Sequence, residues 1–190
     1  MTSPIKNANE EAVLGEIETR KTTDPRKDSV CWCPYCEADV KALALSKLTP
    51  CYCTDFDYTP ILRTEEHPRI QEAVSTALER VAAQPKHRHT SSEGPPGGPR
   101  VVNFIAQEGE NLLEGIMESS GNPCTCARCR SDALAYSLNR YPPRYGVQRN
   151  GERSLPEKER AAIRIELATI MARAARMISD KPRHAGTAGN

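Results

Sequence analysis

Cys31-Trp32-Cys33-Pro34-Tyr35-Cys36-Glu37-Ala38-Asp39 is written a second time in this chain, as Cys124-Thr125-Cys126-Ala127-Arg128-Cys129-Arg130-Ser131-Asp132. Each run leads into an alanine- and leucine-rich segment. The first segment is closed by Pro50-Cys51-Tyr52 and the second by Pro142-Pro143-Arg144-Tyr145. The copies keep an offset of 93 from the first cysteine to the last tyrosine (31 to 124, 39 to 132, 52 to 145). A register held over that length marks the duplication of one structural unit. The 190 residues are therefore read as two copies of a small module.

The composition says what each copy lacks. With 38% hydrophobic and only 5% aromatic residues, each half buries modest apolar area, so a metal ion or mutual packing is an expected supplement. The net charge of +1 exerts no long-range pull on nucleic acid or membrane, so an anionic ligand needs a local cluster of cations. The opening residues Met1-Thr2-Ser3-Pro4-Ile5-Lys6-Asn7 lack the apolar centre of a signal peptide. No apolar run is long enough to span a bilayer, so a cytoplasmic protein without membrane attachment is expected. In that compartment the eight cysteines stay reduced, which favours metal binding or thiol chemistry over a disulfide framework.

Periodicity places helices on both sides of each cysteine run. Val13, Leu14 and Ile17 recur at helical spacing between about Asn9 and Arg20, and Ile105, Leu112, Leu113, Ile116 and Met117 do so between Val102 and Ser119. A second helix is expected over Glu37 to Leu48 and over Arg130 to Tyr141, each stopped by the following proline. A third is expected over Thr64 to Gln84, and another from the capping-box match Ser154-Leu155-Pro156-Glu157 to Met177. Strands are expected to be scarce, with Pro60 to Arg63 a short candidate. The fold class expected is all-α, with a first module over 1–84, a flexible Pro/Gly/Ser linker over 85–100, a second module over 101–180 and a disordered tail over 181–190.

The cysteines carry the clearest chemistry. A C-x-C-x-x-C run entering a helix N-terminus offers three thiolates favoured by the helix dipole, and zinc asks for four tetrahedral ligands. In the first copy Cys31, Cys33 and Cys36 find candidate completions in Cys51 and Cys53, although a helix separates them. In the second, Cys124, Cys126 and Cys129 have only Asp132, the distant His184 or a residue of the other lobe. Structural zinc is the reading adopted; inert buried cysteines and thiol redox chemistry are the alternatives. No metalloprotease or deaminase motif and no nucleophile with a partner base is present, so an enzyme is not expected. His87 and His89 read as solvated linker residues.

Asp39 and Asp132, in the first turn of their helices, read as capping and dipole partners. Farther along, Asn139, Arg140, Arg144, Tyr145 and Arg149 crowd the end of the second-copy helix and its turn, and the first copy sets Ser46, Lys47, Tyr52 and Arg63 in the same neighbourhood. Arginine forks match phosphate and the guanine O6/N7 edge, and tyrosines offer stacking faces, so a small anionic nucleotide competes here with a merely solvated charged patch. Long nucleic acid is not expected, since no continuous basic stripe appears.

C-x-C-x-x-C-x-x-D, the Ala-Leu-Ala-Leu of residues 42 to 45 and Pro-x-Tyr together resemble the late competence development ComFB family of small helical bacterial proteins. The resemblance is strong over 31–52 and 124–145. The first copy departs from the pattern at Ser46 and Thr49, and the second at Tyr136, Ser137 and Tyr141. It implies a zinc-binding module that acts in pairs, a tandem chain that imitates a homodimer as an intramolecular pseudo-dimer, and, as in some members, binding of cyclic di-GMP between the modules. The residues this implicates are Lys47, Asn139, Arg140, Arg144 and Tyr145, to which the reading of the turns adds Tyr52 and Arg63. The expected function is a cytoplasmic regulatory receptor for cyclic di-GMP or a related cyclic dinucleotide, read by a downstream protein. A zinc-stapled protein-interaction module without a small ligand is the alternative.

Overall fold

The structure is a computed structural model and describes residues 5–25, 30–54, 67–86, 98–120, 124, 126–149 and 155–182. Its elements run β1 (Ile5–Asn7), α1 (Ala8–Thr23), α2 (Pro34–Leu45), β2 (Tyr52–Thr54), α3 (His67–Ala83), then β3 (Arg100–Asn103), α4 (Phe104–Ser119), α5 (Ala127–Leu138), β4 (Tyr145–Gln148) and α6 (Glu157–Asp180). The same five-element order occurs twice, as the duplicated motif predicts. Arg63, the strand candidate over 60–63, the linker residues 87–97 and the tail from 183 lie outside the described residues. Among the described residues no helix is long and apolar enough to cross a membrane.

Helices dominate, but the all-α expectation needs correcting, because each repeat also contains a two-stranded antiparallel sheet. β1 pairs with β2 through Ile5↔Thr54, Lys6↔Cys53 and Asn7↔Tyr52. β3 pairs with β4 from Arg100↔Gln148 to Asn103↔Tyr145. These strands are three or four residues long, below the length at which period-2 alternation stands out, and their partners are distant in sequence. Arg100, the last residue assigned to the linker, is already in β3.

The cysteine-led helices start earlier than expected. Pro34 occupies the first turn of α2, where its fixed φ suits a helix start and its missing N–H costs nothing. Cys36 and Cys129 thereby fall inside the first turn of α2 and α5. Both helices also end sooner, at Leu45 and Leu138, with Ser46 and Asn139 as C-caps, ahead of the prolines. α6 begins directly after Pro156, which offers no side-chain cap, and Ser154 of the expected capping box lies outside the described residues.

Each repeat packs its three helices together, α1, α2 and α3 in the first and α4, α5 and α6 in the second. The ribbons cross over. Tyr145 and Val147 of β4 belong to the apolar cluster of the first repeat, with Val13, Ile17, Val40, Leu45, Val74 and Leu78. Reciprocally, Ile5 and Tyr52 belong to the cluster of the second repeat, with Leu113, Leu134, Leu138, Leu167 and Met171. Burial of an aliphatic or aromatic side chain is worth roughly 1.5–3 kcal/mol. Each repeat therefore draws part of its core from the other, which answers the shortage of apolar area in a single copy.

Candidate functional site

Two thiol groups mark the helix starts. Cys31, Cys33 and Cys36 bring their sulfurs within 4.8 Å of one another, and Cys124, Cys126 and Cys129 do the same. Burial pushes the Cys33 thiol up, but the N–H groups of Cys36 and Tyr35 and the thiol of Cys31 outweigh it and hold Cys33 below the ordinary thiol range. Cys126 is also held low, chiefly by the Cys129 N–H, which donates to its Sγ at 3.5 Å. The third thiol of each set moves the other way: burial, with the neighbouring sulfurs, raises Cys36 and pushes Cys129 up to about 12. Three clustered sulfurs at a helix N-terminus are a donor set suited to a soft or borderline ion such as zinc. Cys51 and Cys53 join neither group. They sit at β2, where the Cys51 carbonyl accepts from the Ala8 N–H at 2.9 Å and Cys53 pairs across to Lys6.

The Pro-x-Tyr tyrosines meet at the junction of the repeats. Asn7 caps α1 by accepting from the Asn9 N–H and uses its Nδ2 to donate to the Tyr145 hydroxyl at 2.8 Å. Asn103 caps α4 in the same way and donates to the Tyr52 hydroxyl. The Tyr145 hydroxyl in turn donates to Glu10 at 2.8 Å. Burial pushes Tyr52 up to about 12. Tyr145 is raised further, by burial and then by the charge that would form on Tyr52 and that on Glu10. Both rings are buried, so the stacking faces expected of them are already in use.

Asn139 and Ser46, which occupy matching positions, dock the opposite ribbon. Asn139 Oδ1 accepts from the Tyr52 N–H at 2.6 Å and its Nδ2 donates to the Tyr52 carbonyl at 2.9 Å, so the amide pairs with the strand as a neighbouring strand would. Ser46 Oγ accepts from the Tyr145 N–H at 3.0 Å and donates to the Ala42 carbonyl at 2.8 Å. The serine keeps one of the two bonds to the opposite strand.

The expected basic cluster separates into three. Arg149 reaches across the junction, with its guanidinium on Asp39 and on the Lys86 carbonyl at 2.9 Å and 5.6 Å from the Tyr35 ring centroid. Asp39, read from the sequence as a helix cap, is thus the buried partner of an arginine in the other repeat. Arg144 pairs with Glu159 at the surface, and Lys47 is exposed at the end of α2. Arg140 lies 3.4 Å over the Tyr136 ring and donates to the Tyr136 carbonyl at 3.1 Å.

Arg140 and Tyr136 line a groove of about 640 Å³ whose walls come from both repeats: Tyr52, Cys53 and Thr54 from β2, Asp132 and Asn139 from α5 and its cap, and Met177, Ile178 and Lys181 from the end of α6. The sequence reading missed Lys181, which stands at the far end of a helix in sequence. It also missed Asn7 and Asn103, whose signal was available as an asparagine before a helix in both copies.

No curated protein and no solved structure matches the chain. The family model of late competence development protein ComFB matches residues 6–85 and again residues 103–182. With the match covering both repeats and each carrying the same cysteine knuckle, helix and Pro-x-Tyr strand, the chain belongs to the ComFB family as two domains in tandem.

Proposed function

We propose that this protein is a cytoplasmic regulatory receptor for a cyclic dinucleotide, cyclic di-GMP above others, bound between repeats that act as an intramolecular pseudo-dimer. The observation that carries the reading is the shared groove with Arg140 stacked on Tyr136 and Lys181 at its rim. Its volume falls in the range of roughly 300–1,000 Å³ usual for small-molecule sites. A guanidinium over a ring keeps further N–H donors for a phosphate or the O6/N7 edge of guanine, and a lysine serves a second phosphate as a point charge. Because β2 comes from one repeat and α5 and α6 from the other, a ligand there has different contacts in different placements of the repeats. Differential affinity of that kind is what a signalling change requires.

In this reading the cysteine triplets are structural. Each would hold zinc through three thiolates, fixing the start of the helix that forms the groove wall or its counterpart. Arg144 and Lys47 contribute only to the surrounding potential, and Tyr52, Tyr145 and Asn139 act by holding the junction. The protein is read as a binder and not as an enzyme.

Calorimetric titration with cyclic di-GMP, with cyclic di-AMP and GTP as controls, tests the proposal. Selective saturable binding is expected, with large losses in Arg140→Ala and Lys181→Ala and a small one in Lys47→Ala. Binding that survives removal of both groove cations would place the ligand elsewhere. If no ligand binds, the two thiol triplets favour the second reading, a zinc-stapled module that recognises a protein partner.

A further inference from the structure

Residues that line the open groove have counterparts by position in the other repeat. At the repeat offset of 93, Asp132, Tyr136, Asn139 and Arg140 correspond to Asp39, Leu43, Ser46 and Lys47, and the end of α6 corresponds to the end of α3. Arg149 lies across this second place. One end of its guanidinium donates to the Asp39 carboxylate on α2, and the other donates to the Lys86 carbonyl just past α3 at 2.9 Å. The Tyr35 ring, 5.6 Å from the guanidinium carbon, adds a third contact. The Asp39 side chain is only 8% exposed, so the carboxylate end of the ion pair is largely shielded from water and salt.

We propose that Arg149 is a strap that closes the first-repeat groove, so that the chain offers an anionic ligand a single groove, the one lined by Arg140 and Lys181. This rests on the reading of the open groove as a dinucleotide site and specifies its occupancy. An incoming phosphate at the closed groove has to displace a guanidinium bonded on both walls and would then face the Asp39 carboxylate. At the open groove the stacked Arg140 and Lys181 already line the cavity. The duplication thus turns two equivalent half-sites into one ligand site and one interdomain latch.

The test uses the whole chain. Cyclic di-GMP is titrated into the wild type and into the double variant Asp39→Asn/Arg149→Gln, which removes the strap and its carboxylate while keeping similar volumes. The binding stoichiometry per chain is expected to double, with Lys47 supplying the cation of the opened groove. An unchanged stoichiometry in a folded double variant overturns the strap. A second readout needs no ligand: Leu43→Cys places a thiol on the closed wall, and its alkylation by N-ethylmaleimide is followed by peptide mass spectrometry. The reaction is expected to be slow with Arg149 present and several-fold faster in the double variant, with native Cys53 in the open groove unaffected. Equal rates overturn the strap. If the double variant fails to fold, Arg149→Lys, which keeps a charge for Asp39 but loses the second bond, is expected to show the same acceleration in smaller measure, and no acceleration refutes the proposal. If the wild type binds no dinucleotide, the receptor reading falls while thiol protection still decides the strap.

Discussion

Replacing Asn139 with alanine should cost the protein distinctly more stability than replacing its counterpart Ser46. The Asn139 side chain satisfies both the N–H and the carbonyl of Tyr52, at 2.6 and 2.9 Å, and Tyr52 is only 9% exposed. Truncation leaves two buried backbone groups without these partners. Each orphaned group costs about 1–3 kcal/mol, which puts Asn139→Ala at roughly 2–6 kcal/mol. Ser46→Ala removes one acceptor, that of the Tyr145 N–H, while the Ala42 carbonyl keeps its bond from the Ser46 N–H at 3.1 Å. Its expected cost is therefore about 1–3 kcal/mol, half that of the asparagine. Asn139→Ser should recover part of the loss, because it restores the acceptor alone. Urea unfolding followed by circular dichroism measures these differences, with an unchanged m-value showing that the same surface unfolds. If Asn139→Ala and Ser46→Ala cost the same within about 0.5 kcal/mol, the docking of β2 by a paired amide contributes no more than a serine does, and the account of the junction is wrong.

Three further outcomes follow from the same geometry. Tyr52 titrates higher in the fold than its unfolded value of about 10, so the folded protein holds a proton that the unfolded chain releases. Stability is complete below about pH 10 and falls as pH rises toward 12, by about 2.7 kcal/mol for a two-unit shift, with Tyr145 acting in the same direction. Unfolding free energies flat across pH 9.5–11.5 (about the accessible part of that window) would contradict this. In metal-stripped protein, iodoacetamide should modify Cys126 before Cys129, since the first is exposed with a lowered thiol and the second is buried with a raised one; mass spectrometry showing the reverse order would dismiss the assigned electrostatics. A Cβ added at Gly146 would stand 2.6 Å from Phe104 Cε2, whereas one at Gly115 meets nothing within 4 Å. Gly146→Ala should lower stability by about 1–3 kcal/mol and Gly115→Ala, inside a helix, should raise it by about 0.5–1 kcal/mol, as read by thermal melts.

Much of this was legible in the sequence because it rests on local rules. The cysteine knuckles, the helices behind them and the two-fold repetition come from spacing and periodicity, which a linear reading sees directly. The ribbons and the reach of Arg149 were not legible, because the strands pair across more than forty positions and Arg149 meets Asp39 in the other repeat. Arg140, Arg144 and Arg149 look alike in sequence, yet one stacks on Tyr136, one pairs with Glu159 at the surface and one crosses to Asp39. Asp39 and Asp132 were expected in a first helical turn, but because α2 and α5 begin at Pro34 and Ala127 each is the sixth residue of its helix, and the arginine that Asp39 pairs with lies in the other repeat and leaves no local trace. Cys51 and Cys53 were attractive as zinc ligands by residue type alone, and the strand carries them to the opposite end of the helix from the triplet.

The pattern of spacing between the copies fits this division of contacts. From cysteine knuckle to strand the offset is 93, but the helix before each knuckle is displaced by 96 (Asn7 to Asn103, Ala8 to Phe104), because the segment between helix and knuckle is three residues shorter in the second copy. The difference lies where the geometry permits it. Between knuckle and strand, the distance is fixed at both ends: Arg149 must reach Asp39 near the start of α2 while Tyr145 meets Ser46 at its end, and an inserted residue would slip one contact against the other. A one-residue slip would also turn Tyr145 and Val147 out of the first-repeat core, since alternate residues of a strand face opposite ways. Between the first helix and the knuckle, Lys21 at the end of α1 reaches Glu37 at the start of α2 with a long, adaptable side chain, at 2.7 Å, and the intervening loop length is thermodynamically cheap. Cys33 is half-buried where Cys126 is exposed, so the segment of variable length sits beside the feature in which the two knuckles differ most. The interlocking of the repeats, and not the knuckle alone, is what holds the register of the duplicated unit.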